Sequence, residues 1–176
     1  AASDVYKRQL QTSTAKKMAK VYEALEEVDE KGEPAPDMVT VVNILTELRT
    51  DKDNLKSYDR SVMWNAWAYV YMTDGKYPQA KTSYTNVMNE PEVTIGLRNG
   101  ALFSLAQLNL AEGNYQKGVN LILQWMDEVE KVTAQSYSIL GQAYFALGDY
   151  RKSMSSLETA ISCLLYTSPS PRDKRQ

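Results

Sequence analysis

The apolar positions of the second half of the chain fall on a helical period, and the pattern is written three times. Trp64, Trp67, Ala68 and Tyr71 stand at i, i+3, i+4 and i+7. So do Leu102, Leu105, Ala106 and Asn109, and then Tyr137, Leu140, Gly141 and Tyr144. The third member is small each time. Every run ends at glycine, any residue, tyrosine: Gly75-Lys76-Tyr77, Gly113-Asn114-Tyr115 and Gly148-Asp149-Tyr150. A second helical stripe follows each junction: Ala80, Tyr84 and Val87; Gly118, Ile122 and Trp125; Ser153, Leu157 and Ala160. The spacing predicts three helical hairpins. Small residues on the two helices of each let the backbones approach, and large ones fill the space beside them. Glycine suits the junction because a helix that stops sharply ends on a left-handed residue. Pro78 fits the first turn of its helix, and Thr133 is placed as an N-cap.

Upstream the pattern is looser. Met18, Val21, Tyr22, Leu25 and Val28 form one stripe, Gly32-Glu33-Pro34-Ala35-Pro36 interrupts it, and Met38, Val41, Val42, Leu45 and Leu48 form another. Residues 50–58 are polar and read as a loop. The expected organisation is all-α, about eight helices in one domain: a helical pair and loop over 10–58, a degenerate repeat or a cap, then three repeats within 59–162. These cover about 61–94, 99–132 and 134–162, the last one truncated.

The two ends read differently. Ser3-Asp4-Val5-Tyr6-Lys7-Arg8-Gln9 can be encoded by TCA GAT GTG TAT AAG AGA CAG. The reverse complement of that string, shifted by one base, encodes Cys163-Leu164-Leu165-Tyr166-Thr167-Ser168. Both resemble translated transposase-adapter sequence, so 1–9 and 163–176 are expected to be non-native tails outside the fold, and 10–162 a fragment of a longer protein. The tails hold Lys7, Arg8, Arg172, Lys174 and Arg175 against Asp4 and Asp173. Without them the 20 basic and 22 acidic residues become 15 and 20, and the net charge moves from -2 to -5.

That acidic balance argues against a nucleic-acid footprint, which needs clustered Lys and Arg. The chain has no His, and its one cysteine lies in a tail, so the commonest metal ligands and the usual general base are missing. No apolar run is long enough to span a membrane. Glu26, Glu27, Asp29 and Glu30, and Asp127, Glu128 and Glu130, lack the spacing of a calcium loop and read as solvated faces. Hydroxyls are plentiful, but no His is present to activate one, and no Gly-rich loop follows a strand. Neither a catalytic constellation, a cofactor nor a metal site is expected.

The thrice-repeated register resembles the tetratricopeptide repeat (TPR). Its glycines lie 38 and 35 residues apart here, against a family period of ~34. The signature positions are Trp64, Ala68, Gly75, Tyr77 and Ala80; Ala106, Gly113, Tyr115 and Gly118; and Tyr137, Gly141, Tyr144, Gly148, Tyr150 and Ala160. Asn109 stands where an aromatic is usual, and Gly118 and Ser153 replace alanine. The resemblance implies a right-handed helical-hairpin solenoid whose first helices line a concave face that binds a peptide or partner helix. The positions beside the packing stripe would then face the partner: Val62, Asn65, Tyr69 and Met72; Gly100, Phe103, Gln107 and Leu110; Gln135, Ser138, Gln142 and Phe145. None is charged. Tyr69, Phe103 and Phe145 equally fit packing. Asn65 is the only residue of a carboxylate-gripping type, so capture of a C-terminal carboxylate is not expected.

A narrower resemblance lies in Thr14-Ala15-Lys16-Lys17 followed by Tyr22, and in Gln124-Trp125-Met126 before Ala143-Tyr144. These strings look like the repeat proteins that accompany TonB-type energy-transduction systems of gamma-proteobacteria. That resemblance implies a periplasmic, non-enzymatic accessory of outer-membrane transport, with TonB, ExbB or ExbD as partners. The alternatives are a cytoplasmic regulatory or assembly adaptor, and the docking module of an enzyme whose catalytic domain lies outside the fragment.

Overall fold

The structure, a computed structural model, describes residues 9–167. Among them are eight α-helices: α1 Thr12–Leu25, α2 Met38–Thr50, α3 Ser57–Thr73, α4 Tyr77–Asn89, α5 Ile95–Ala111, α6 Tyr115–Glu128, α7 Ala134–Ala146 and α8 Tyr150–Thr167. The architecture is all-α, of the TPR helical-hairpin type. Contacts gather the chain into two compact units, one reaching Ala101 and the other starting at Leu102, with the boundary inside α5.

Three of the connections are built identically. Gly75, Gly113 and Gly148 take φ of 68°, 80° and 78°. At each, the next residue donates its N–H back to the helix: Lys76 to Tyr71 at 2.8 Å, Asn114 to Asn109 at 2.8 Å, and Asp149 to Tyr144 at 3.0 Å. The glycine N–H itself bonds Met72, Leu110 or Phe145. This is the Schellman arrangement, which satisfies carbonyls that a helix end would otherwise leave open. Pro78 then opens α4 as the sequence suggests.

In the first unit, α1, α2 and α3 share a core of Met18, Val21, Ala24, Val41, Leu45, Leu48, Met63, Trp67 and Val70. Fully burying a side chain such as Leu45 or Met63 contributes about 1.5–3 kcal/mol. Trp67 is central: its Nε1 donates to the Leu45 carbonyl at 3.2 Å, its ring stacks on Tyr71, and the Arg49 guanidinium lies 4.2 Å from its centroid. Arg49 also donates to the Tyr71 hydroxyl at 3.0 Å. One polar bond fixes the start of α1, where Asp59, fully buried in the first turn of α3, accepts the Gln11 N–H at 3.0 Å.

Upstream the structure departs from the expected stripe in two places. Tyr22 is half exposed, and Val28 lies beyond the end of α1, 60% exposed, in an isolated antiparallel bridge to Pro34. The helix stops at Leu25, and Asp29 closes the turn that follows by accepting from Lys31 and Glu33, with Gly32 at φ 79°. The segment read as a polar loop holds a 3-10 turn at Lys52–Asn54 and the buried Leu55, and α3 starts at Ser57.

In the second unit the core joins Ala106, Val119, Ile122, Leu140 and Ala143, with Phe103, Leu110, Leu121, Met126, Ile139 and Tyr144 packed against it. The small residues sit at close approaches. A Cβ on Gly118 would collide with the Leu110 side chain, and one on Gly141 would meet Leu157 at 2.7 Å and the Ser153 carbonyl at 3.2 Å. Asn109, the departure from the aromatic pattern, is buried and satisfied, its Nδ2 donating to the Leu105 carbonyl at 2.7 Å. Thr133 caps α7, accepting from Ser136 N at 3.2 Å. The expected C-terminal tail begins inside an element: α8 continues through Cys163, which is half-buried. Of the expected N-terminal tail only Gln9 is described; residues 1–8 and 168–176 lie outside the described residues.

Two predictions follow from these contacts. Gly141→Leu overfills the α7–α8 contact and lowers stability by ~1–3 kcal/mol, seen as a lower urea midpoint; an unchanged midpoint contradicts the contact. Asp37 caps α2, and hydrogen bonds from Thr40 and then from Val39 hold its carboxyl below the usual carboxylate range. Its folded pKa is the lower one, so the cap contributes above the unfolded carboxylate pKa of ~3.9 and is lost as pH falls through the folded value. Asp37→Ala is expected to lower the melting temperature at neutral pH, with the difference from wild type closing below about pH 4. A difference that persists undiminished in strong acid contradicts the capping role.

Candidate functional site

The twelve positions beside the packing stripes separate into exposed and structural groups. On α3, Tyr69 is 46% exposed, Asn65 and Met72 are half-buried, and Val62 packs on the first unit's core. Gly100 is exposed on α5. In the second unit Gln107 is exposed, whereas Phe103 packs on the core and meets the Trp125 ring at a 45° tilt, 4.7 Å between centroids. Leu110 packs on the same core and is the side chain that fills the space over Gly118. On α7, Gln135, Gln142 and Phe145 are exposed and Ser138 is half-buried. Gln142 Nε2 lies 3.4 Å from Ser138 Oγ, and the Phe145 ring, 64% exposed, meets Tyr150 edge-on.

The accessible set is therefore Tyr69 on the first unit and Gln107, Gln135, Gln142 and Phe145 on the second. Phe103 and Leu110 are core-facing. The reason is local: α6 lies against both, with the Trp125 ring beside Phe103 and Gly118 against Leu110. The aromatic and amide groups left at the surface can donate, accept and stack without a charge. They can hold a peptide backbone or an apolar side chain.

Sequence reasoning missed a polar cluster at the α3–α4 end of the first unit. Arg60 donates from Nε and Nη2 to the two carboxylate oxygens of Glu90 at 2.8 and 2.9 Å, and from Nη1 to the Leu55 carbonyl at 2.6 Å. The paired carboxylate raises the Arg60 pKa further. Ser57 Oγ accepts the Glu92 N–H at 3.0 Å. These residues border two open grooves. One, of about 590 Å³, has Trp64, Asn86 and Asn89 on its walls, and the other, of about 520 Å³, contains Asp59. The partners are 30 residues apart in sequence, and nothing in a helical period links them. Among the described residues no group of three His, Cys, Asp or Glu side chains is placed to hold a metal ion. No helix there is long and apolar enough to cross a membrane.

Helix pairs closed by a left-handed glycine, with small residues at the crossing and uncharged groups on the first helices, define a class: helical-hairpin repeats that serve as protein-binding scaffolds. Comparison with protein families places α7, its glycine turn and most of α8 in one of these, since residues 134–162 match the tetratricopeptide repeat family. No curated protein matches the sequence.

The separation of surface from core is measurable. Phe103→Ala is expected to destabilise the second unit by about 2–4 kcal/mol, while Phe145→Ala changes stability by less than about 1 kcal/mol. Equal effects in a denaturation series contradict this division.

Proposed function

We propose that the chain is a non-enzymatic scaffold that binds an extended peptide or a partner helix through the exposed uncharged groups of α5 and α7 in the second unit, as an accessory of TonB-dependent transport in the periplasm. The observation that carries the binding reading is the exposure of Phe145, Gln142 and Gln107 beside a stripe whose large residues are already committed to the core. Large apolar and amide groups kept at a surface that stability does not require are the ordinary make-up of a binding site. The TonB assignment and the periplasmic location rest on the sequence resemblance around residues 14–22 and 124–144.

The test uses the purified periplasmic segments of TonB and ExbD as titrants in calorimetry. One of them is expected to bind with a Kd of about 1–100 µM, and Gln142→Ala with Phe145→Ala is expected to weaken that binding at least ~10-fold at unchanged helicity. Absence of heat with both segments removes the TonB reading and leaves a cytoplasmic adaptor or the docking module of an enzyme. Binding that the double variant does not alter removes these surfaces as the site.

A further inference from the structure

Asp59 is a buried carboxyl group with one oxygen committed and one not. It stands in the first turn of α3 and is 0% exposed. Its Oδ1 accepts the Gln11 N–H at 3.0 Å, and Gln11 Oε1 in turn accepts the Lys56 N–H at 3.1 Å, so the group is latched between the starts of α1 and α3. Its Oδ2 is buried and has no hydrogen-bond partner among the described residues. A buried carboxylate is costly unless it is both paired and hydrogen-bonded, so a cationic donor answers it best. The guanidinium of the next residue is not that donor. Arg60 commits Nε and Nη2 to Glu90 and Nη1 to the Leu55 carbonyl.

Asp59 lies on the wall of the open groove of about 520 Å³. Ser57 Oγ accepts the Glu92 N–H at 3.0 Å, which holds the Glu92 backbone beside the start of α3, and the exposed Glu92 borders the same groove. With Arg60 neutralised by Glu90, the groove sets two carboxylates, Asp59 and Glu92, against the exposed ammonium of Lys56, and its balance is negative. Leu55, buried, and Tyr58, half-buried, supply an apolar wall. An aromatic ring attracts a cation, and an apolar wall covers the methylenes that carry one. One free carboxylate oxygen suits the point donor of an ammonium rather than the two-pronged guanidinium.

We propose that this groove at the start of α3 binds a primary alkylammonium group, such as a lysine side chain carries, with Asp59 Oδ2 accepting its N–H, Glu92 adding a second negative charge, and Tyr58 and Leu55 against the methylenes. The site lies within the first unit and is independent of the uncharged surface of α5 and α7.

NMR of the ¹⁵N-labelled full chain tests this with three probes: Nα-acetyl-lysine methylamide, its norleucine counterpart, which keeps the carbon chain and lacks the ammonium, and butylammonium chloride. The lysine probe is expected to shift the Gln11 and Glu92 amides, which bond Asp59 and Ser57, and to saturate with a Kd of about 1 mM, while the norleucine probe does not. Asp59→Asn keeps an oxygen for Gln11 and removes the charge, and is expected to weaken binding at least ~10-fold. Glu92→Gln alters an exposed side chain, keeps wild-type helicity and is expected to weaken binding ~3-fold, so the test stands even where Asp59→Asn does not fold. Butylammonium that binds as well as the lysine probe assigns the site to free amines, and preference for the lysine probe assigns it to a lysine-bearing polypeptide. Absence of saturable shifts up to ~20 mM overturns the proposal, as does an equal response to the norleucine probe or binding that neither variant weakens.

Discussion

The structure depends on one backbone constraint. A helix that must stop and hand the chain to an antiparallel neighbour needs a residue in the left-handed region, and Gly75, Gly113 and Gly148 supply it with the same pair of return hydrogen bonds. A residue with a Cβ would be strained there. Because the turn geometry is fixed, the register of the two helices is fixed, and each hairpin brings equivalent positions together. That is why Gly118 faces Leu110 and Gly141 faces Leu157. The small residue is large enough only for the contact it makes, and the leucine opposite occupies the remaining volume.

The three hairpins, their turn glycines, the N-cap at Thr133 and the first-turn Pro78 were legible in the sequence because each leaves a local mark. What lay outside its reach was not local. Met63, Val70, Val119 and Ala143 are buried although they stand off the stripes that the period selects. α3 packs against both α2 and α4, and α7 against both α6 and α8, so their apolar residues do not segregate to a single face. Trp125 and Gly118 of α6 draw Phe103 and Leu110 into the core, and Tyr69, Gln142 and Phe145 stay outside. The Arg60–Glu90 pair and the Asp59–Gln11 bond join segments far apart in sequence, and no period announces them.

Several polar side chains hold the ends of elements together. Asp59 fixes the entry to α1, Asp37 the start of α2, and Arg60 ties Glu90 and the Leu55 carbonyl. Exposed ion pairs such as Lys17–Glu47 contribute little in comparison. What remains accessible on the first helices is aromatic and amide, and what remains accessible on α8 is apolar and periodic.

The account rests on the three glycine turns being formed and closed in solution, and amide hydrogen exchange reads this directly. The N–H groups of Lys76, Asn114 and Asp149 are exposed loop amides unless they bond Tyr71, Asn109 and Tyr144. Exchange slowed to the level of the helices they cap is the predicted result. Exchange at the rate of an unstructured peptide at these three positions contradicts the hairpin register, and with it the packing built on that register.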